Sequence, residues 1–318
     1  MFLRGLLPQG IYGRIKSILP WLVFGVIVAS MLAVDLGIFH RKAHAVRFRE
    51  ALAWSVVWIT LALLFNGGVF IFFGRQRAME FLAAYLIEKS LSVDNIFVFV
   101  AIFSYFRVEA TYQHRILFWG ILGALIMRGI FIFVGLALIE RFQALTYLLG
   151  AFLILTGIRF AEEETEVQPE KNPVIRFFRR MVPVTATSRG QWFFVHERGR
   201  WYATPLFLVL LVVELTDVIF AADSVPAVLA ISDNPFIIYT SNDFAILGLR
   251  ALYFVLAGAI TRFAYLRYGL SAILIFVGFK MLIHGVYKIP IALSLGVIGL
   301  LLAFSVFLSV VRRNAKGN

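Results

Sequence analysis

Three carboxylates interrupt an apolar stretch that reads Leu211-Val-Val-Glu-Leu-Thr-Asp-Val-Ile-Phe-Ala-Ala-Asp-Ser-Val-Pro226. It lies in a segment, 204–231, that is otherwise long and apolar enough to cross a bilayer as one helix. An ionised side chain inside a membrane is costly, so Glu214, Asp217 and Asp223 need partners. A bound cation or protonation would supply them. The cluster therefore predicts a functional site within the membrane.

Helix geometry does not point all three carboxylates at one spot. Glu214 and Asp217 share a face, whereas Asp223 lies roughly 120° from that face and about 9 Å further along an ideal helix. Pro226 removes a backbone donor and clashes with the carbonyl of Ala222. We therefore expect a kink or an unwound turn at Pro226 that swings Asp223 inward and frees main-chain oxygens as ligands. The alternative is a network with internal arginines that only holds the helices together.

Composition assigns the chain to the polytopic membrane proteins. Of its 318 residues, 61% are hydrophobic and 15% are charged, and the mean hydropathy is +0.88. These values exclude a soluble globular protein. The absence of cysteine excludes disulfides and thiolate metal sites. The net charge of +12 sits mostly in loops beside the membrane spans, so it predicts membrane orientation and no nucleic-acid partner.

Apolar segments predict an all-α fold with nine transmembrane helices in a single domain, 1–318. These predicted spans cover approximately 18–38, 51–73, 81–103, 116–139, 142–160, 204–231, 244–261, 266–285 and 290–311. The one long connection, 161–203, begins acidic and ends basic. Near its end, Phe193–Val195 and Trp201–Ala203 are expected to pair as a small hairpin.

The distribution of Lys and Arg predicts the orientation. They are more abundant in the loops after the first, third, fifth and seventh spans and at the C-terminus than in the other loops. Positive loops face the cytoplasm, so the N-terminus is expected outside and the C-terminus in the cytoplasm. The expected location is a bacterial inner membrane, with the lipid bilayer as a partner.

Two groups of three spans, 81–160 and 204–285, read as copies of one unit; the spans 18–38, 51–73 and 290–311 are peripheral. Glu88-Lys-Ser-Leu-Ser-Val-Asp-Asn95 and Asp217-Val-Ile-Phe-Ala-Ala-Asp-Ser224 both read acid, five residues, then Asp with a small polar residue. Arg128 in the first copy corresponds to Arg250 in the second. The two copies also share a longer pattern: Phe142-x4-Tyr147-x3-Ala151-x5-Gly157-x-Arg159 matches Phe263-x4-Tyr268-x3-Ala272-x5-Gly278-x-Lys280. An odd number of spans inverts the second copy. Inverted repeats are a transporter architecture with a midplane site at the repeat interface.

The repeat interface yields the candidate site residues. The candidate metal ligands are the carboxylates Glu88, Asp94, Glu214, Asp217 and Asp223. Neutral candidates are Ser92, Asn95 and Ser224. Hard oxygen ligands without cysteine suit Mn²⁺, Mg²⁺ or Ca²⁺ as a transported ion, with no permanently bound cofactor. A proton is an alternative or coupled species, since clustered carboxylates titrate as a unit.

Four further charged residues have two interpretations each. Arg128 and Arg250 are expected to balance the carboxylates of an empty site or to recognise the ligand directly. Lys280 would do the same or extend to the near membrane interface. Asp35 either guards the cytoplasmic mouth or marks a helix end.

At these residues the chain resembles the TerC family of integral membrane proteins, most closely its Alx branch. The stretches that carry the resemblance are Glu88–Asn95, Glu214–Pro226, Ser241–Tyr253 and Gly278–Leu282. It implies a relationship to LysE-type exporters, and for the Alx branch export of Mn²⁺ from the cytoplasm. It also places the family's acidic positions on the five carboxylates above. The family name reflects an association with tellurium resistance.

Three classes of function remain open from the sequence. The leading hypothesis is a secondary transporter that exports Mn²⁺ through the carboxylate cluster. The second is a non-transporting assembly or partner-binding membrane protein, or one that acts indirectly in metal or tellurium stress. An intramembrane aspartyl protease is the third, but its Gly-x-Gly-Asp pattern is absent, so we expect no enzymatic activity.

Overall fold

The structure is a computed structural model that describes residues 9–39, 48–142, 144–162, 185, 192–197, 200–257, 266–283, 285–287 and 289–316. The chain divides into two units, Met1–Ala45 and Val46–Asn318. The first contains one helix, α1 (Gln9–Phe39), with Pro20 inside it. All further elements belong to the second unit.

The second unit is helical apart from one small hairpin in its described part. Its helices are α2 (Phe48–Tyr105), α3 (Ala110–Arg141), α4 (Ala144–Glu162), α5 (Pro205–Leu229), α6 (Pro235–Leu247), α7 (Leu249–Leu256), α8 (Leu266–Ile283) and α9 (Ile291–Lys316). Its strands are β1 (Phe194–Glu197) and β2 (Arg200–Ala203). Parts of α2, α3, α5 and α9 are long and apolar enough to cross a membrane. An all-α integral membrane fold is therefore confirmed.

The chain reverses direction inside α2, at Gly74. This residue has φ 86° and ψ 172°, a combination that is open to glycine and costly for other residues. Sixteen residues of unbroken helix would separate Phe65 from Phe81 by about 24 Å, yet their ring centroids lie 5.6 Å apart. The arm before Gly74 and the arm after it therefore pack side by side.

A buried helix breaks at Gly248, between α6 and α7. Asn234 begins α6 by accepting hydrogen bonds from the backbone of Phe236 (3.0 Å) and Ile237 (3.2 Å). At the other end, Lys89 of α2 donates to the carbonyl of Ala245 at 3.1 Å. That carbonyl belongs to the last turn of α6, whose oxygens lack partners within the helix and favour a cation.

Two helices differ in their bounds from the expectations drawn from the sequence. α5 continues through Pro226 to Leu229, so the expected unwound turn at Pro226 is absent. Pro226 lies in the last turn of α5, and its own carbonyl accepts from the backbone of Ala230 at 3.0 Å. The span predicted at 244–261 begins at Pro235 and consists of α6 and α7. The break in a buried helix is at Gly248 instead.

Glycines let α4 and α8 pack with their backbones in contact. A Cβ at Gly278 would lie 2.6 Å from the carbonyl oxygen of Gly150, and one at Gly157 would lie 2.9 Å from that of Ser271. The hydroxyl of Ser271 donates to the carbonyl of Gly157 at 2.6 Å. Small residues of this kind are typical of close helix packing in membranes.

Two apolar clusters enclose a polar layer in the middle of the second unit. On α5, Leu206–Val213 contributes to one cluster and Ala221–Val228 to the other. Asp217 lies between these two segments and is buried. The same arrangement occurs on α2, where the clusters meet near Ser92 and Asn95. This layer contains most of the predicted site residues that the structure describes.

The predicted hairpin is confirmed. β1 and β2 are antiparallel, with Phe194 opposite Ala203. The ring of Phe194 lies 4.5 Å from that of Phe207 on α5, and Arg115 of α3 stacks over Phe193. The hairpin therefore packs against the first turns of α3 and α5.

Candidate functional site

Arg128 of α3 is the centre of the polar layer. Its guanidinium forms an ion pair with Glu88 of α2. It also holds Asp217 of α5 through two parallel bonds, Nε to Oδ2 at 3.2 Å and Nη2 to Oδ1 at 3.0 Å. Nη1 donates to Ser224, two turns further along α5, at 3.2 Å. One side chain thus joins α2, α3 and α5.

These three charges are almost completely buried. Arg128 is 1% exposed, Glu88 0% and Asp217 4%. Removing an ion from water costs several kcal/mol even after relaxation. Charge-assisted bonds and the bidentate geometry with Asp217 offset that cost. The three groups are therefore stable as a set, and loss of one leaves the others uncompensated.

One face of α2 adds oxygen and amide groups to this set. Ser92 and Asn95 follow Glu88 at helical spacings of four and seven residues, and both are buried. Within the described part of the chain, Glu88 Oε2 and Ser92 Oγ have no hydrogen-bond partner. A buried polar atom without a partner is costly. Both are oxygen donors of the kind that hard divalent cations accept.

Glu214 lies one helical turn before Asp217, at the α3–α5 contact. Its carboxylate occupies the space that a side chain at Gly123 of α3 would fill. The two carboxylates are close enough to interact electrostatically. Gly123 therefore creates the position that Glu214 occupies.

We expect Gly123→Ala to displace Glu214 with little loss of stability. The added methyl group overlaps the end of a flexible side chain and not backbone. The melting temperature of the purified protein should therefore change little, while cation binding, measured by equilibrium dialysis with Mn²⁺, should weaken. Gly299→Ala is the control, because nothing lies within 4 Å of the added atom there. Unchanged binding by Gly123→Ala would remove Glu214 from the site.

Sequence reasoning missed a polar group on α6. Asn242 and Asp243 are buried there. Asp243 is hydrogen-bonded to Tyr239 and interacts electrostatically with Arg128. Among the described residues, both amide atoms of Asn242 and Oδ1 of Asp243 lack a hydrogen-bond partner. The signal was present as an Asn-Asp pair inside an apolar segment, but the span was predicted to begin after it.

Some predicted ligands cannot be placed. The side chains of Asp35, Asp94 and Asp223 lie outside the described residues, and these assignments stay predictions. In the part that is described, no three His, Cys, Asp or Glu side chains surround one point as a metal site requires. Arg128 lies between Glu88 and Asp217 and forms an ion pair with each.

Arg250 and Lys280 are the other two basic residues that the sequence predicted to balance the carboxylates. Arg250 is buried on α7, two residues after Gly248. Lys280 lines a cavity together with Glu80, and neither Glu88, Arg128 nor Asp217 is among the lining residues. Lys280 interacts electrostatically with Glu80 in this cavity, and a role in balancing the carboxylates at Arg128 stays a prediction.

A second ion-pair cluster ties the start of the second α2 arm to the turn after α5. Arg77 donates to Glu80 at 2.7 Å and to Asp233 at 2.7 Å. Ser232 donates to Glu80 at 2.6 Å. The hydrogen bond from Arg77 holds the pKa of Asp233 below its usual value. Glu80 is buried, so this cluster is a structural tie at one end of the helices.

Comparison with known protein families identifies the family of this chain. The pattern of the family described as "Integral membrane protein TerC family" matches residues 73–317. The chain belongs to the TerC family. The match begins next to the reversal at Gly74 and includes Arg128, its partners and the α6–α7 break. The family predicted from the sequence is confirmed.

TerC-family relatives align over nearly the whole chain. The chain is 53% identical to "Uncharacterized membrane protein STKORF319" of Myxococcus xanthus, over 92% of each protein. It is 51% identical to "Putative membrane-bound redox modulator Alx" of Escherichia coli K12, over 88% of this chain and 90% of that protein. An "Uncharacterized membrane protein" of Rickettsia felis is 40% identical over 93% of this chain and 99% of that protein. No solved structure matches.

Proposed function

We propose that this TerC-family chain is a secondary transporter that exports a divalent cation, foremost Mn²⁺, from the cytoplasm. One observation carries the proposal: a guanidinium group is held between carboxylates from two helices in the buried middle of the protein. Such a site binds a cation already. A transported cation needs the same kind of ligands.

Charge balance supports a cation cargo. Glu88 and Asp217 pair with Arg128, Asp243 interacts electrostatically with Arg128, and Glu214 interacts with Asp217. One guanidinium cannot neutralise four carboxylates, so protons or a bound cation must supply the remaining positive charge. Carboxylate, hydroxyl and amide oxygens favour hard divalent ions. The choice of Mn²⁺ among them rests on the resemblance to the Alx branch.

Arg128 acts in this mechanism as a tethered substitute for the cargo. When the site is empty, its guanidinium satisfies Glu88 and Asp217. A divalent ion that enters competes for the same oxygens and releases Arg128 from them. Cargo binding thereby loosens the connection between α2, α3 and α5, which is the contact that would change between inward-open and outward-open states.

Helix packing supports the inverted repeat on which alternating access would depend. The sequence repeat relates Gly150 to Ser271 and Gly157 to Gly278. In the structure Gly150 contacts Gly278, and Gly157 contacts Ser271. When the two copies of the repeat are exchanged, the contact between Gly150 and Gly278 becomes the contact between Ser271 and Gly157. A two-fold axis that relates the copies requires this. We retain nine spans, an outside N-terminus and a cytoplasmic C-terminus in a bacterial inner membrane as parts of the proposal.

Total cellular manganese tests the proposal. In a manganese-sensitive strain, wild type should lower the manganese content measured by elemental analysis. Asp217→Asn at matched membrane abundance should not lower it. Loss of an outer-shell partner of a metal ligand weakens binding roughly 10- to 100-fold, and loss of a direct ligand should weaken it at least as much. Glu109→Gln, on an exposed carboxylate before α3, is the control and should act as wild type does.

The outcomes separate transport from a structural role. If Asp217→Asn lowers manganese as wild type does, the carboxylate site is wrongly assigned. If wild type has no effect, the exporter proposal fails for this metal. A non-transporting assembly protein would instead show reduced abundance of Asp217→Asn with no change of flux in any variant.

The redox role in the name of the Escherichia coli relative is compatible with cation export. This chain has no cysteine, so it has no thiol to exchange. Any effect on cellular redox state would be indirect, through the concentration of a metal ion in the cytoplasm.

A further inference from the structure

A cavity of about 680 Å³ lies where several helices end. The end of α3, the start of α4, the end of α5, the last turn of α8 and the start of α9 all contribute to it, together with the first turns after Gly74. Its volume is in the range of roughly 300–1,000 Å³ that holds small organic ligands. Spanning helices end near the headgroup level of a bilayer, so the cavity belongs to that level.

Lys280 places a charge in this cavity, where it interacts electrostatically with Glu80. The residue is 8% exposed and lines the cavity. Within the described part of the chain, no hydrogen bond or ion pair engages its ammonium group. Glu80 lines the same cavity but already accepts hydrogen bonds from Gln76, Arg77 and Ser232. A buried ammonium group of this kind needs an anion or water.

The remaining lining is largely apolar, which determines the class of ligand. Met79, Ile139, Leu229, Ile231 and Met281 line the cavity, together with the polar side chains of Gln76, Thr146 and Ser232. The carboxylate of Asp233 also lines it and is bound by Arg77. A free inorganic anion would leave these apolar surfaces exposed to water. An anion that carries an acyl chain would cover them and gain the free energy of their burial.

We infer that the cavity is a binding site for an anionic phospholipid, with the phosphate on Lys280 and the start of an acyl chain on the apolar lining. Lysine binds phosphate as a point charge. Arg77 partly offsets the two carboxylates of the lining, because it forms ion pairs with both Glu80 and Asp233. This inference is independent of cation export.

Thermal unfolding of the delipidated protein in detergent tests the inference. Phosphatidylglycerol should raise the melting temperature of wild type by about 5 °C at saturating concentration. Phosphatidylcholine and inorganic phosphate should each have much smaller effects. Lys280→Met should lose the selective response to phosphatidylglycerol, and Lys280→Arg should keep it.

Arg159 provides the matched control, because it occupies the equivalent position of the repeat and is exposed on α4. Arg159→Met should respond as wild type does. Equal effects of phosphatidylglycerol and phosphatidylcholine on wild type would overturn the inference even if Lys280→Met did not fold. Protection by inorganic phosphate alone would overturn the lipid assignment, and so would an unchanged response of Lys280→Met.

Discussion

Arg128→Met should remove most of the folded protein from the membrane. The substitution keeps much of the side-chain length but leaves Glu88 and Asp217 as buried carboxylates without a counter-charge. Removal of one partner of a buried pair costs about 3–5 kcal/mol, a large share of the roughly 5–15 kcal/mol that stabilises a typical domain. We expect the melting temperature in mild detergent to fall by about 10 °C.

A triple variant distinguishes the effect of unpaired charge from the effect of the lost arginine side chain. Arg128→Met combined with Glu88→Gln and Asp217→Asn removes all three charges and should recover much of the lost stability. It should not lower cellular manganese, because two of the proposed cation ligands are gone. Arg159→Met controls for loss of an exposed arginine and should melt as wild type does. Wild-type stability of Arg128→Met alone would show that the ion pairs do not hold the fold.

Gly278→Leu should have the second large effect, on the contact between α4 and α8. Even the first added carbon would lie 2.6 Å from the carbonyl oxygen of Gly150, and backbone cannot move aside as a side-chain tip can. Overpacking typically costs about 1–3 kcal/mol, and a leucine here would also separate Ser271 from Gly157. We expect a lower melting temperature and less protein at the correct size in gel filtration.

Gly296→Leu is the matched control for this substitution. Gly296 lies on α9, where an added Cβ meets nothing within 4 Å. The control should melt at or slightly above the wild-type temperature, since glycine is a poor helix former. If both leucine variants are equally stable, α4 and α8 are not in close contact. If both fail equally, leucine disturbs membrane insertion and not helix packing.

Local sequence was sufficient for the features that depend on composition and periodicity. Long apolar segments established the membrane class, because each segment must satisfy its own backbone within the bilayer. The aromatic segments around Phe194 and Trp201 predicted the hairpin. Polar residues inside apolar segments predicted that Glu88, Asp217 and Ser224 would lie together, and all three contact Arg128. Each of these signals lies within a few neighbouring residues.

Helix breaks were less predictable, because a residue's propensity does not act alone. Pro226 is a strong helix breaker, yet it lies in the last turn of α5, where the helix is about to end. Gly248 is a weaker signal, but Lys89 from another helix binds the carbonyl of Ala245 beside it. The break is therefore stabilised by a contact that no local pattern reveals.

The sequence by itself determined that this protein is an all-α membrane protein of the TerC family with a buried carboxylate cluster. Only the tertiary structure decided which basic side chain pairs with Glu88 and Asp217. Arg128 is 40 residues from Glu88 and 89 from Asp217 along the chain. From the sequence, Arg250 was as plausible a partner as Arg128, and Lys280 was an open alternative. The packing of α2, α3 and α5 brings Arg128 to Glu88 and Asp217, whereas the packing of α8 places Lys280 in a separate cavity. Charge pairing across a membrane protein follows from helix packing, and helix packing is a property of the whole chain.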